Sequence, residues 1–238
     1  GKVMENLGSI LKRAVGERQG PYTGAVVVPT CPICHDTKFV SRGTHYGQPG
    51  FGEVYPCVCQ YQGVETLDNF NPNPQYADLG KALAAVGEWV AATGPSILVL
   101  SGERGVGKSH LALAARHALG LKGESCLCVT DYQLDQAIRK SFDNQITDEI
   151  IGGYAKAPRL IIDDFGTVAR AETMKGLIDA LFNERWIGAR DGVAWTLITT
   201  NQSGADMTAR IQSRLEDQTR SLVVVMDAPD YRKVVRGE

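Results

Sequence analysis

Long apolar runs are missing from this 238-residue chain. None approaches the roughly 18 to 20 consecutive apolar residues that a bilayer-spanning helix needs, which argues against a protein embedded in a membrane. The opening residues, Gly1-Lys2-Val3-Met4-Glu5-Asn6, are too polar for a secretory signal, and no cleavage site follows them. The expected compartment is therefore the cytoplasm. An excess of charge of one sign is missing too: 25 basic residues stand against 27 acidic ones, a formal −2. Composition alone thus announces no nucleic-acid binder, and any DNA contact has to come from a local basic patch. Internal repeats and low-complexity tracts are absent as well. What remains is 43% hydrophobic and 22% charged residues, the balance of a globular protein. The length suits one α/β domain with a small appendage.

Along the chain, Val3, Leu7, Ile10, Leu11 and Ala14 recur at helical spacing, with Lys12 and Arg13 on the other side. That stripe either packs on its own domain or docks a partner protein. From Gly20 to Gln60 the periodicity disappears and Gly, Pro and Thr become frequent. Asn69-Phe70-Asn71-Pro72-Asn73-Pro74 is turn-rich and leads into a helix expected over about 76–92. Thereafter strands and helices alternate. Strands are expected at 96–100, 126–130, 160–162, 196–199 and 222–225, and helices at 111–118, 134–141 and 174–186. This alternation predicts a parallel sheet covered on both faces. Two parts follow: 1–60, an N-terminal helix plus a small module, and 61–238, the α/β domain.

Gly102-Glu103-Arg104-Gly105-Val106-Gly107-Lys108-Ser109 fits G-x-x-x-x-G-K-[ST] and lies between an expected strand and an expected helix, the setting this loop needs. Gly102, Gly105 and Gly107 let backbone N–H groups point inward at phosphate oxygens, and the helix N-terminus adds favourable partial charge. Val106 and His110 complete the predicted nucleotide-binding set. Lys108 is expected to reach the β and γ phosphates of ATP or ADP, and Ser109 to bind magnesium. Arg159-Leu160-Ile161-Ile162-Asp163-Asp164 supplies the second half of the metal site, an apolar strand ending in carboxylates. Asp163 is expected on the magnesium side, through water, and Asp164 as the acid that activates the attacking water. An Asp is one methylene shorter than the more usual Glu, so hydrolysis is expected to be slow.

Four of the six cysteines form two close pairs, Cys31-x-x-Cys34 and Cys57-x-Cys59. In a reducing compartment such pairs favour metal over disulfide, and four thiolates can supply the tetrahedral shell of a structural zinc. His35 and His45 are reserve ligands. Cys126 and Cys128 alternate along an expected strand and read as small buried hydrophobes.

Ile161-Ile162-Asp163-Asp164-Phe165-Gly166, Thr199-Thr200-Asn201, Arg210-Ile211-Gln212-Ser213-Arg214-Leu215 and Asp230-Tyr231-Arg232 occur in that order. Over residues 66 to 235 they resemble the successive motifs of DnaC/DnaI-type replicative helicase loaders, AAA+ ATPases to which the transposition helper IstB is related. The resemblance implies an AAA+ P-loop fold without a full helical lid. It implies Asn201 as the sensor 1 residue orienting water at the γ-phosphate. It further implies Arg214 as an arginine finger acting on a neighbouring subunit, with Arg210 as fallback, and Arg232 as sensor 2. A finger acting in trans makes the nucleotide site an interface, so a ring or open spiral is expected with ATP.

Loaders resembling DnaI also carry a zinc-containing N-terminal segment. On that analogy residues 1–60 dock a hexameric, DnaB-type helicase. Ile138-Arg139-Lys140-Ser141-Phe142 sets two cations beside an aromatic, a combination that grips phosphate while stacking a base. It resembles the single-strand-binding part of these loaders; the other reading is an amphipathic helix with Phe142 in the core. Arg170 is a weaker DNA candidate. Two further readings stay open: an IstB-like helper binding duplex DNA and a transposase, and an ATP-binding scaffold that scarcely hydrolyses.

Overall fold

Strands that are apolar at every position need cover on both faces, and the computed structural model of this chain supplies that cover. The structure describes residues 37, 39–41, 54–56, 65–201 and 208–231. Two compact units divide the chain, Gly1–Cys59 and Gln60–Glu238. In the first, β1 (Phe39–Ser41) and β2 (Val54–Pro56) pair antiparallel, Phe39 opposite Pro56 and Ser41 opposite Val54. The expected N-terminal helix, the zinc candidates Cys31, Cys34, Cys57 and Cys59, the reserves His35 and His45, and Arg232 lie outside the described residues.

The second unit begins with α1 (Ala77–Ala91), β3 (Ile97–Gly102), α2 (Lys108–Leu121), β4 (Leu127–Thr130), α3 (Asp131–Asn144) and α4 (Thr147–Lys156). It continues with β5 (Arg159–Phe165), α5 (Glu172–Arg190), β6 (Trp195–Thr200), α6 (Ala209–Leu215) and β7 (Ser221–Met226). All five strands are parallel, in the order β4-β5-β6-β3-β7. Every strand and helix expected after residue 75 is present, most of them longer by a few residues at the ends. The helix α4 was not expected, because Gly152 and Gly153 weaken its helical signal; an acidic first turn and a closing Lys156 support it.

Successive strand residues point to opposite faces, so two cores form. Leu98, Leu100, Ile161 and Leu197 pack with α1 and α2, whereas Ile97, Val99, Ile162 and Ile198 pack with α3 to α6. Cys126 and Cys128 adjoin the first core but are only half-buried. Burial pushes both thiols up, Cys126 to about 12, so neither is a thiolate near neutral pH. No helix among the described residues is long and apolar enough to cross a membrane.

Two arginines fasten the end of the sheet away from the phosphate loop. Arg159 lies between Trp89 and Trp195, 5.1 and 4.8 Å from their ring centres, and donates to the Trp89 carbonyl at 2.7 Å. Arg185 is 1% exposed. Its guanidinium donates to Thr196 Oγ1 and to the carbonyls of Tyr154, Ala155, Ala157 and Trp195. It thereby closes the C-terminal end of α4, whose last carbonyls would otherwise lack donors. Desolvation brings this guanidinium down to about 10, so it remains charged at neutral pH. Arg185→Met leaves those buried carbonyls unpaired and should cost about 2–4 kcal/mol, read as a lower urea midpoint with nucleotide binding retained below the transition.

Candidate functional site

The strand β3 ends at Gly102 and α2 starts at Lys108, so the phosphate loop occupies the turn between them. Three of its glycines are required by geometry. Gly102 has φ +151°, and a Cβ there would collide with the Met226 carbonyl oxygen. Gly105 has φ +83° and lies against Asp230, leaving no room for a Cβ. Gly107 has φ +102°, and a Cβ there would come within 2.7 Å of the Phe70 ring. L-residues with side chains rarely adopt such φ values. Val106 is buried, which seats the loop. Lys108 is 5% exposed and its Nζ donates to the carbonyls of Gly102 and Glu103, both at 2.7 Å. Burial lowers its pKa, while the negative charges of Asp164 and Asp163 work in the opposite direction.

Across from the loop, the β5–β6 ladder is irregular: Ile162 faces Ile198 and Phe165 faces Thr200, leaving Asp163 and Asp164 opposite the single residue Thr199. Such a bulge re-aims side chains. Thr199 holds it from both sides, because its Oγ1 donates to Asp163 Oδ1 at 2.5 Å and accepts from the Asp164 N–H at 2.8 Å. Asp164 consequently takes φ +55°, a left-handed conformation that Asp tolerates better than most residues, and its side chain faces solvent while Asp163 is half-buried. Thr200 secures the next residue by donating to the Phe165 carbonyl at 2.8 Å. Asn201 follows directly, and its buried Oδ1 makes no hydrogen bond with the described residues.

The phosphate loop, both carboxylates and Asn201 thus emerge at the C-terminal ends of β3, β5 and β6, three neighbours in the sheet and the edge where such sheets bind ligands. Backbone amides at a helix N-terminus, a buried ammonium resting only on carbonyls and an unsatisfied amide oxygen suit a polyphosphate. The Ser109 hydroxyl and the Asp163 carboxylate are hard oxygen donors of the kind magnesium takes alongside phosphate oxygens and water. Among the described residues no cluster of three or more His, Cys, Asp or Glu could hold a metal by protein ligands alone.

Four contacts around the loop are not legible in the sequence. Phe70 packs on Gly107 and meets the His110 ring edge-on at 5.3 Å, and His110 Nε2 lies 3.2 Å from the Thr66 carbonyl. The predicted nucleotide residue His110 is thus engaged with the segment before α1; an aromatic within an otherwise polar turn was the available signal. From the other side the Tyr231 N–H donates to the Gly105 carbonyl at 3.1 Å.

The arginines divide. Arg214 is half-buried in its own chain, bonded to Asn183 and 5.8 Å from the Trp186 ring centre, whereas Arg210 is exposed. Arg139, Lys140 and Phe142 are exposed on α3, Phe142 by 45%, so the alternative that placed Phe142 in the core is overturned. The helix buries Leu134 and Ile138 instead, and Phe142 falls outside that stripe. Arg139 is shared with Asp135 at 2.6 Å. Arg170 is withdrawn as a DNA candidate: its side chain is 3% exposed and ion-paired with Asp131, which is fully buried.

The replicative helicase loader DnaC of Escherichia coli K12 is 30% identical over 145 residues, 59% of this chain and 58% of the relative. DnaC of Buchnera aphidicola subsp. Schizaphis graminum is 29% identical over 214 residues, 87% of this chain and 82% of that one. This chain is similar to the DnaC-type helicase loaders. The likeness to helicase loaders expected from the sequence is thus found in known proteins, although the chain spans only 58% of the length of the first relative. No protein-family model matches it. Among solved structures, the DnaC helicase loader aligns with TM-score 0.58 at 20% identity, over 71% of this chain and 99% of that one. A replication initiator DnaA bound to AMPPCP and single-stranded DNA aligns with TM-score 0.59 at 19% identity, over 69% and 50%. These likenesses establish the AAA+ P-loop fold.

Thr199→Val keeps the shape of the strand but releases Asp163 and leaves the Asp164 N–H unpaired. ATP turnover should fall roughly tenfold, with ATP affinity changed less than threefold and Thr199→Ser near wild type. A turnover assay beside calorimetric binding checks this. Lys108→Met removes a desolvated charge, so the free protein should melt no lower than wild type. The rise in Tm on adding ATP and magnesium should disappear in the same variant.

Proposed function

We propose that the chain is an ATP-switched loader that engages a hexameric replicative helicase and single-stranded DNA. The observation that carries this reading is the carboxylate pair, bulged out of β5 by Thr199 at the sheet edge that also bears the phosphate loop, in a chain related to DnaC. In this reading Lys108 leaves the carbonyls of Gly102 and Glu103 for the β and γ phosphates of ATP. Ser109 and Asp163, the latter through water, hold magnesium, which when bound spreads the charge of the phosphates. Asn201 orients a water molecule at the γ-phosphorus. That water's oxygen forms the new P–O bond, the bond to the ADP oxygen breaks, and Asp164 accepts the proton. Its short side chain at a left-handed residue favours slow turnover, as suits a switch.

The finger is assigned to Arg214, which would leave Asn183 and Trp186 to complete a neighbour's site, with exposed Arg210 as fallback; Arg232 is the sensor 2 residue. On this assignment ATP promotes assembly into a ring or spiral. Single-stranded DNA is assigned to Arg139, Lys140 and Phe142, whose exposure on one helix supports a cationic and stacking contact. Helicase docking is assigned to residues 1–60, with zinc held by Cys31, Cys34, Cys57 and Cys59. The β1–β2 ladder supports that ligand set, since it closes the chain at Phe39 and Pro56, between the two cysteine pairs.

The full chain should co-purify with a DnaB-type hexamer, and a chain lacking residues 1–60 should not; equal capture by both would remove the docking assignment. Arg139→Ala with Phe142→Ala should weaken oligothymidine binding at least about tenfold, with wild-type binding falling steeply as salt rises. Arg214→Ala should lower turnover and abolish any increase in size caused by ATP in gel filtration.

A further inference from the structure

Beyond the nucleotide pocket, Asp131 is the most heavily engaged carboxylate among the described residues. It is the first residue of α3, a helix fixed in register by a capping box in which Thr130 Oγ1 accepts from the Gln133 N–H at 3.1 Å and the Gln133 side chain accepts from the Thr130 N–H at 2.9 Å. One of its oxygens, Oδ2, accepts from three consecutive backbone N–H groups, those of Gly166, Thr167 and Val168, at 3.2, 3.1 and 3.1 Å. Three amides converging on one anion form a nest, and here the anion is a side chain of another element. Those residues are the turn that follows Asp163 and Asp164, opened by Gly166 at φ +87°.

The other oxygen, Oδ1, accepts from the Arg170 guanidinium. Arg170 Nε lies 3.5 Å from Asp135 Oδ1, and Asp135 Oδ2 accepts from Arg139 Nε at 2.6 Å. Asp131 and Asp135 are 0% and 1% exposed, so this chain of alternating charges runs through the interior and surfaces only at Arg139. Because Asp135 is shared between Arg170 and Arg139, a phosphate that draws Arg139 away frees Asp135 for Arg170. Arg170 is in turn the partner of the carboxylate that holds the turn after Asp164. Buried charges with so few alternative partners transmit such exchanges poorly screened.

We propose that Asp131 is a positioning residue that couples the turn behind Asp164 to the nucleic-acid face of α3, so that the nucleotide state sets the affinity for single-stranded DNA and the reverse. The inference rests on the assignment of DNA to Arg139 and Phe142. Reciprocity follows from linkage: whatever factor ATP applies to DNA affinity, DNA applies to ATP affinity.

The test measures binding of fluorescein-labelled oligothymidine by anisotropy, with AMPPNP and magnesium in one arm and ADP and magnesium in the other. Wild type should differ at least about fivefold between the arms. Asp131→Asn keeps the shape but removes the charge, and its two affinities should agree within about twofold. Should that variant fail to fold, Asp131→Asn with Arg170→Met replaces the buried pair without stranding a charge and should give the same collapse. A wild-type ratio retained in the variants would overturn the coupling role while leaving the DNA assignment standing. Oligothymidine binding that ignores Arg139→Gln would overturn the DNA assignment and the coupling with it. Loss of stability alone would lower both affinities together and preserve their ratio, which also counts against the proposal.

Discussion

One hydroxyl group determines the shape of the candidate site. A regular parallel strand would send Asp163 and Asp164 to opposite faces of the sheet. Because Thr199 bonds to both residues, one through its side chain and one through its amide, β5 bulges and both carboxylates are presented at the end of the sheet. Everything assigned to the acids depends on that deviation. The adjacent contact from Thr200 to the Phe165 carbonyl keeps the bulge from running on into the following turn.

The rest of the sheet supplies rigidity. With β3 and β6 paired over Ile97 to Ser101 and flanked by β5 and β7, the strands behind the phosphate loop are fully covered. At the far end the polar fastening is arginine: Arg159 between two indoles and Arg185 beneath α4 satisfy carbonyls that the core would otherwise bury unpaired. A loop that must accept a highly charged ligand therefore stands on a base with little freedom to yield.

Much of this was legible in the sequence, for physical reasons. Ile97 to Leu100 and Leu160 to Ile162 are continuous apolar runs, and only a strand covered on both sides uses such a run. The phosphate loop was legible because few side chains satisfy its backbone, and the likeness to helicase loaders because several short motifs occur in order. Long-range pairings were not legible. Nothing local in Thr199 announces that it will meet two carboxylates on another strand, and nothing in Phe70 announces its seat on Gly107. Arg170 misled because a cation in a polar turn reads as solvated, whereas its partner Asp131 lies 39 positions earlier. Phe142 admitted two readings from sequence, an exposed stacking residue or a core residue; the buried stripe of α3 ends at Ser141, which leaves Phe142 exposed.

The three tryptophans of the chain all lie beside guanidinium groups, but not at the same place. Trp89 and Trp195 enclose Arg159, whereas Trp186 has Arg214 and Arg220 at 5.8 and 5.1 Å. Were Arg214 to swing toward an adjoining protomer, Trp186 would keep only Arg220 beside it and its surroundings would change, while Trp89 and Trp195 kept Arg159. Under the proposed role of Arg214, such a movement would be readable as a change in intrinsic emission without any attached dye.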